Sequence, residues 1–124
     1  MPPATLGKLG ENLARQFLEN AGYRVLTQNY RSPYGEIDLI AEDPSAPQPT
    51  LVFVEVKTRT SRRFGSPIHA VNFRKRQHLC LTAQHWLSNL QGDEPCYRFD
   101  VIEVMMGRDG LAQIAHHKAI EIEV

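Results

Sequence analysis

Residues 51–59, "LVFVEVKTR", decide how the chain folds. Leu51 to Val56 have the β-branched and aromatic content of a buried strand, yet Glu55 falls inside the apolar run and Lys57 follows it. A strand turns successive side chains to opposite faces, so Leu51, Phe53, Glu55 and Lys57 share one face and Val52, Val54 and Val56 the other. The valine face reads as core, while the other changes from apolar to ionic along its length. Taken alone, an E-x-K of this kind is a polar pair on a half-exposed strand. What surrounds it changes that reading.

Upstream, "EIDLIAE" (36–42) predicts a second strand, and the Pro-rich "DPSAPQPT" (43–50) joins the two as an antiparallel hairpin. Glu36 and Asp38 share a face, with Ile37 and Leu39 opposite. Pairing then brings Asp38 beside Glu55, and two carboxylates and a lysine meet at one end of a sheet. Neighbouring carboxylates repel and lose solvation, so a positive group must compensate them: Lys57 or a divalent cation. Hard oxygen donors suit Mg²⁺ or Mn²⁺ better than zinc. Such a cation would activate water against a phosphoryl group, with Lys57 orienting the water or steadying the transition state.

Residues 5–22 carry a helical stripe of Leu6, Gly10, Leu13, Ala14, Phe17, Leu18 and Ala21, with Gly22 suited to end the helix. Glu11 lies at the edge of that stripe and reaches along whatever the helix packs on. "YRVLTQNY" (23–30) is a strand and "RSPYG" a turn. After a loop at 60–66, a second helix starts either at a Ser66 cap with Pro67 next or at Asn72. Its stripe is Leu79, Ala83, Trp86, Leu87 and Leu90, and Gly92 ends it. Strands follow at 96–106 and 111–117, and the alternating "AIEIEV" (119–124) extends the sheet edge. The order α-β-β-β-α-β-β gives a mixed five-stranded sheet flanked by helices, α/β or, by strict naming, α+β, in a single domain over 1–124.

Net charge is zero, but its distribution is uneven. No acid lies between Glu55 and Asp93, and that window holds 7 of the 14 basic residues: Lys57, Arg59, Arg62, Arg63, Arg74, Lys75 and Arg76. A one-sided cluster is the footprint of phosphate binding, which makes the six beyond Lys57 candidate contacts to nucleic acid, DNA before RNA. Lys75, early in the second helix, can lean over the sheet end. Glu36 is either a further ligand or an exposed strand-start acid. Arg98 and Asp100 share a strand face, as a structural ion pair or as support to the site. No apolar run is long enough to span a membrane, the N-terminus lacks a secretory layout, and Cys80 and Cys96 have no ligand spacing. The expected compartment is the cytoplasm.

"GKLGENLARQFLENAGYRVL", "GEIDLI", "FVEVKTR", "KRQHL" and "RFDVI", in this order and spacing, resemble the YraN-type family of small bacterial proteins. That family is similar to the Holliday-junction-resolvase branch of the PD-(D/E)XK nucleases. The resemblance implies a restriction-endonuclease-like fold and Mg²⁺-dependent phosphodiester hydrolysis. It matches Asp38 to the first acid of the nuclease motif, Glu55 and Lys57 to its E-x-K, and Glu11 to an acid on the first helix. Ile37 stands where the motif's name has proline. By analogy with resolvases, which cut paired strands, it also suggests a homodimer acting on branched DNA. The alternative is a catalytically silent nucleic-acid-binding protein on the same scaffold.

Overall fold

The stripe of apolar residues near the N-terminus builds helix α1 (Pro3–Asn20), two residues ahead of the expected span at each end. The computed structural model describes residues 3–45, 48–60 and 73–121. Gly22 closes α1 with a left-handed φ of 92°. Its N–H donates to the Glu19 carbonyl at 3.0 Å, and the Tyr23 N–H donates to Leu18 at 2.9 Å. The helix's last carbonyls are thereby satisfied, and Leu18 and Tyr23 are drawn into one core. Strands β1 (Arg24–Ser32), β2 (Gly35–Asp43) and β3 (Thr50–Arg59) follow, then α2 (Phe73–Leu87), β4 (Tyr97–Met106) and β5 (Ala112–His117). This is the expected order, and the fold is α+β.

The five strands lie in chain order, β1-β2-β3-β4-β5. All neighbours are antiparallel except β3 and β4, which are parallel. A parallel pair needs a crossover, and α2 lies in that connection. One helix covers each face. Ala14 and Leu18 of α1 pack on Leu39, Ala41, Val52, Val54, Ile102 and Val104. Leu79 and Ala83 of α2 pack on Ile37, Ile40, Phe53, Phe99 and Val101. Trp86 stands edge-on to Phe53, ring centroids 6.0 Å apart. Burial of both faces explains the near-continuous apolar run of β3. No helix among the described residues is long and apolar enough to cross a membrane.

Two expectations need correction. Helix α2 ends at Leu87, not at Gly92. Ser88 Oγ and Asn89 Nδ2 donate to the His85 carbonyl at 2.7 and 3.1 Å, capping the helix before the glycine is reached. Leu90 thus leaves the stripe and is 40% exposed. Residues 119–121 do not extend the sheet: Ala119 is left-handed and the Ile120 N–H donates to the Phe99 carbonyl at 2.8 Å, folding Ile120 onto the α2-side core. Residues 122–124 of that expected strand, and the Ser66, Pro67 and Asn72 helix start, lie outside the described residues.

Strict alternation also fails at Asp38. Gln28 bonds to Asn12 and Arg15 of α1, but Tyr30 OH meets His85 Nδ1 of α2 at 2.5 Å. Asn29 between them has φ 57°. Their partners across the ladder are Leu39 and Ile37, which pack toward α1 and α2 respectively. Both strands therefore change face at one level. Asp38 sits at that change, where groups from both layers can reach it.

Candidate functional site

The β2–β3 ladder has Leu39 opposite Val54, and the next step would set Asp38 opposite Glu55. There the Asp38 side chain takes over from the backbone: its Oδ2 accepts a hydrogen bond from the Val56 N–H at 2.7 Å. From the other layer, α1 comes down onto β3 at Gly10. A Cβ on that glycine would lie 1.7 Å from Thr58 Oγ1, so the approach requires a residue without a side chain. The next residue, Glu11, is thereby held over the end of the sheet. Carboxylate oxygens of Glu11, Glu36 and Asp38 all lie within 4.8 Å of one another. Glu36 also sits 3.3 Å from Arg31 Nε.

Glu55 is 6% exposed. Its Oε1 lies 3.2 Å from Lys57 Nζ and also contacts Lys75 Nζ. Glu36, Asp38, Glu55, Arg74, Lys75 and His78 line one cleft of about 460 Å³ between α2 and the ends of β2 and β3. Burial, then the Glu55 carboxylate, then Glu11 push the Asp38 carboxyl up to about 8, against the pull of the Val56 N–H. Burial holds the Lys57 ammonium below its ordinary value, and the neighbouring Lys75 adds to that effect. Burial works the same way on Lys75, but the Glu55 carboxylate outweighs it and lifts the ammonium above its usual range.

These donors fit a divalent cation. The cluster of Glu11, Glu36 and Asp38 offers hard oxygen ligands, with Glu55 beside Asp38 in the same cleft, and no histidine or cysteine joins the cluster among the described residues. Burial and the neighbouring carboxylates favour the protonated Asp38 carboxyl, and added positive charge would work against that.

The structure thus brings together Glu11, Asp38, Glu55 and Lys57, and adds Glu36 and Lys75. Arg74 is exposed at the cleft, and Arg59 on β3 and Arg76 on α2 are half-buried and do not line it. Arg62 and Arg63 lie outside the described residues. Arg98 and Asp100 belong to a separate network. Arg98 bonds to Asp43 at 3.0 Å, to Tyr23 OH at 2.9 Å and to Asp100 at 3.1 Å, while His116 Nε2 meets Asp100 at 2.7 Å. Tyr23, Asp43 and His116 were not singled out by spacing, because each is contributed by a different strand or turn. Glu103 was missed too. It is 1% exposed and pairs with Lys57 across the parallel ladder, and its signal was an acid inside the apolar run "FDVIEV".

A family model described as uncharacterised protein family UPF0102 matches residues 10–104. The chain is similar to a UPF0102 protein of Caldicellulosiruptor bescii, 43% identical over 111 residues, covering 88% of this chain and 90% of the relative. A UPF0102 protein of Symbiobacterium thermophilum is 47% identical over 105 residues, covering 85% and 86%. One from a Mycobacterium species is 45% identical over 113 residues, covering 91% and 82%.

Proposed function

The chain belongs to uncharacterised protein family UPF0102, the YraN family that its motifs resemble, and from that premise we propose that it hydrolyses DNA phosphodiester bonds with Mg²⁺ or Mn²⁺. Branched DNA is the substrate suggested by the resemblance to junction resolvases. One observation carries the reading: Glu11, Glu36 and Asp38 cluster, and Glu55 with its two lysines lies beside Asp38 at the same cleft. A core-facing structural ion pair does not call for four acids.

Asp38 and Glu55 would hold the cation, with Glu11 and Glu36 beside Asp38 completing its oxygen surroundings. The ion supplies Lewis acidity, easing deprotonation of the attacking water and offsetting charge on a phosphoryl oxygen. Lys57 keeps a fixed positive charge next to Glu55, where it orients the water and faces the reacting phosphate. Arg74 at the cleft, with Arg59, Arg62, Arg63 and Arg76 of the same acid-free window, tracks the strand's phosphates.

The test incubates purified protein with Mg²⁺ or Mn²⁺ and labelled linear, flapped and four-way DNA, beside Asp38→Ala and Glu55→Ala. Cutting by the wild type, reduced at least about a hundredfold in each variant, is expected, the scale of losing an electrostatic element of a catalytic site. Cutting that survives in both variants removes this site. A second reading, DNA binding without turnover, is favoured by the way two lysines already neutralise Glu55 within the fold. Uncut DNA bound with a steep salt dependence supports that reading instead.

A further inference from the structure

Hydrolysis at this site explains the presence of Glu55 but not its surroundings. A single carboxylate oxygen carries two ammonium groups, one from Lys57 and one from Lys75. The two lysines are held differently. Lys57 arises from the same strand two residues on, and its side chain is 21% exposed. Lys75 reaches across from the first turn of α2, and its side chain is 37% exposed. A cation bound by Asp38 and Glu55 shares the Glu55 carboxylate with both ammoniums, and like charges on one small group repel. The less confined lysine is the one that gives way.

The surroundings of Lys75 are basic. Helix α2 contains no Asp or Glu, and no acid lies anywhere between Glu55 and Asp93. Glu36, the other acid lining the cleft beside Asp38, already has Arg31 at 3.3 Å. Lys75 lines the cleft together with Arg74, so an ammonium that leaves Glu55 lies at the wall an entering anion meets.

We propose that Lys75 is a built-in counter-ion of Glu55 that a divalent cation displaces, and that the displaced ammonium then receives a phosphate oxygen of the nucleic-acid strand. This rests on the cation site proposed above and gives Lys75 a substrate-binding role beside it. Its consequence is positive coupling: the cation frees the phosphate-binding group, and by reciprocity the phosphate diester strengthens cation binding.

Calorimetric titration of the full chain with Mn²⁺, with and without the dinucleotide TpT, tests this. Wild type is compared with Lys75→Met, Arg74→Met and Glu55→Gln, each checked for a native circular-dichroism melt. Lys75→Met is expected to bind Mn²⁺ roughly tenfold more tightly than wild type, within the usual range of coupling between sites. TpT is expected to tighten Mn²⁺ binding in wild type and to leave it unchanged in Lys75→Met. Unchanged or weaker Mn²⁺ binding in Lys75→Met overturns the proposal. So does an equal gain in Arg74→Met, since that reports the general field of the cleft and not displacement from Glu55. If Glu55→Gln binds Mn²⁺ like wild type, or no form binds it, the cation site itself falls and this role with it. Loss of binding in Glu55→Gln with an unchanged Lys75→Met sinks the Lys75 role alone.

Discussion

Asp38 sits at the point where both strands change face, and its ionisation is set by that position. An acid whose folded pKa is raised to about 8 binds its proton more tightly in the native than in the unfolded chain. Stability of the cation-free protein therefore falls as pH rises from about 4 through 8, the interval between the unfolded and folded values. Asp38→Asn keeps an acceptor for the Val56 N–H and removes the charge. It is expected to raise stability at pH 8.5 by on the order of 2 kcal/mol and to abolish that decline, read from urea midpoints across pH. The approach of Asp38 to Glu55 was legible in the sequence, because the hairpin register brings them to one level. The face change was not, since it depends on a left-handed Asn29 that strict alternation does not anticipate. Nor was the contact of Lys75 with Glu55, which joins residues on opposite sides of a long connection.

Helix α1 delivers Glu11 because Gly10 allows it to lie against Thr58. Gly10→Ala drives a methyl into a β-branched side chain that has few alternative rotamers. We expect a loss of about 1–3 kcal/mol despite the better helix propensity of alanine, measured by chemical denaturation. The same variant shifts Glu11 away from Asp38, so on the proposed cation site a fall in Mn²⁺ affinity is expected alongside the loss of stability. Partial recovery of both in Gly10→Ala/Thr58→Ala checks that the clash is the cause. The glycine was visible in the sequence as a member of the apolar stripe. Its purpose was not, because the stripe does not reveal which strand it meets. The early stop of α2 has a similar origin: Ser88 and Asn89 cap locally, and Gly92 was the more conspicuous signal.

At the scale of the whole molecule, two ionic clusters do different work. The Arg98 network has no cleft-lining member and ties β4, β5 and the ends of β1 and β2 together through Asp100, His116, Asp43 and Tyr23. Burial works to raise both acids, but Ser45 and Arg98 hold Asp43 below its ordinary value, and His116, the Ala119 N–H and Arg98 do the same for Asp100. Groups lowered on folding add stability that is full above the unfolded value near 4 and lost as acid titrates them. Arg98→Met leaves two buried carboxylates without their guanidinium and is expected to cost about 3 kcal/mol at pH 7. The deficit shrinks toward pH 4 as those acids take up protons, which paired urea melts at the two pH values will register. The fold class, the order of elements along the chain and the acid-free window were readable from the sequence. The division of its charges into a structural set and a cleft set required the three-dimensional pairing of distant strands. One further consequence lies in the aromatic contact between Trp86 and Phe53. Trp86 is the chain's single tryptophan, and Phe53 lies two residues before Glu55 on the same strand. The protein thus contains its own optical gauge: the emission of that indole follows the seating of α2 on the sheet, with no dye attached.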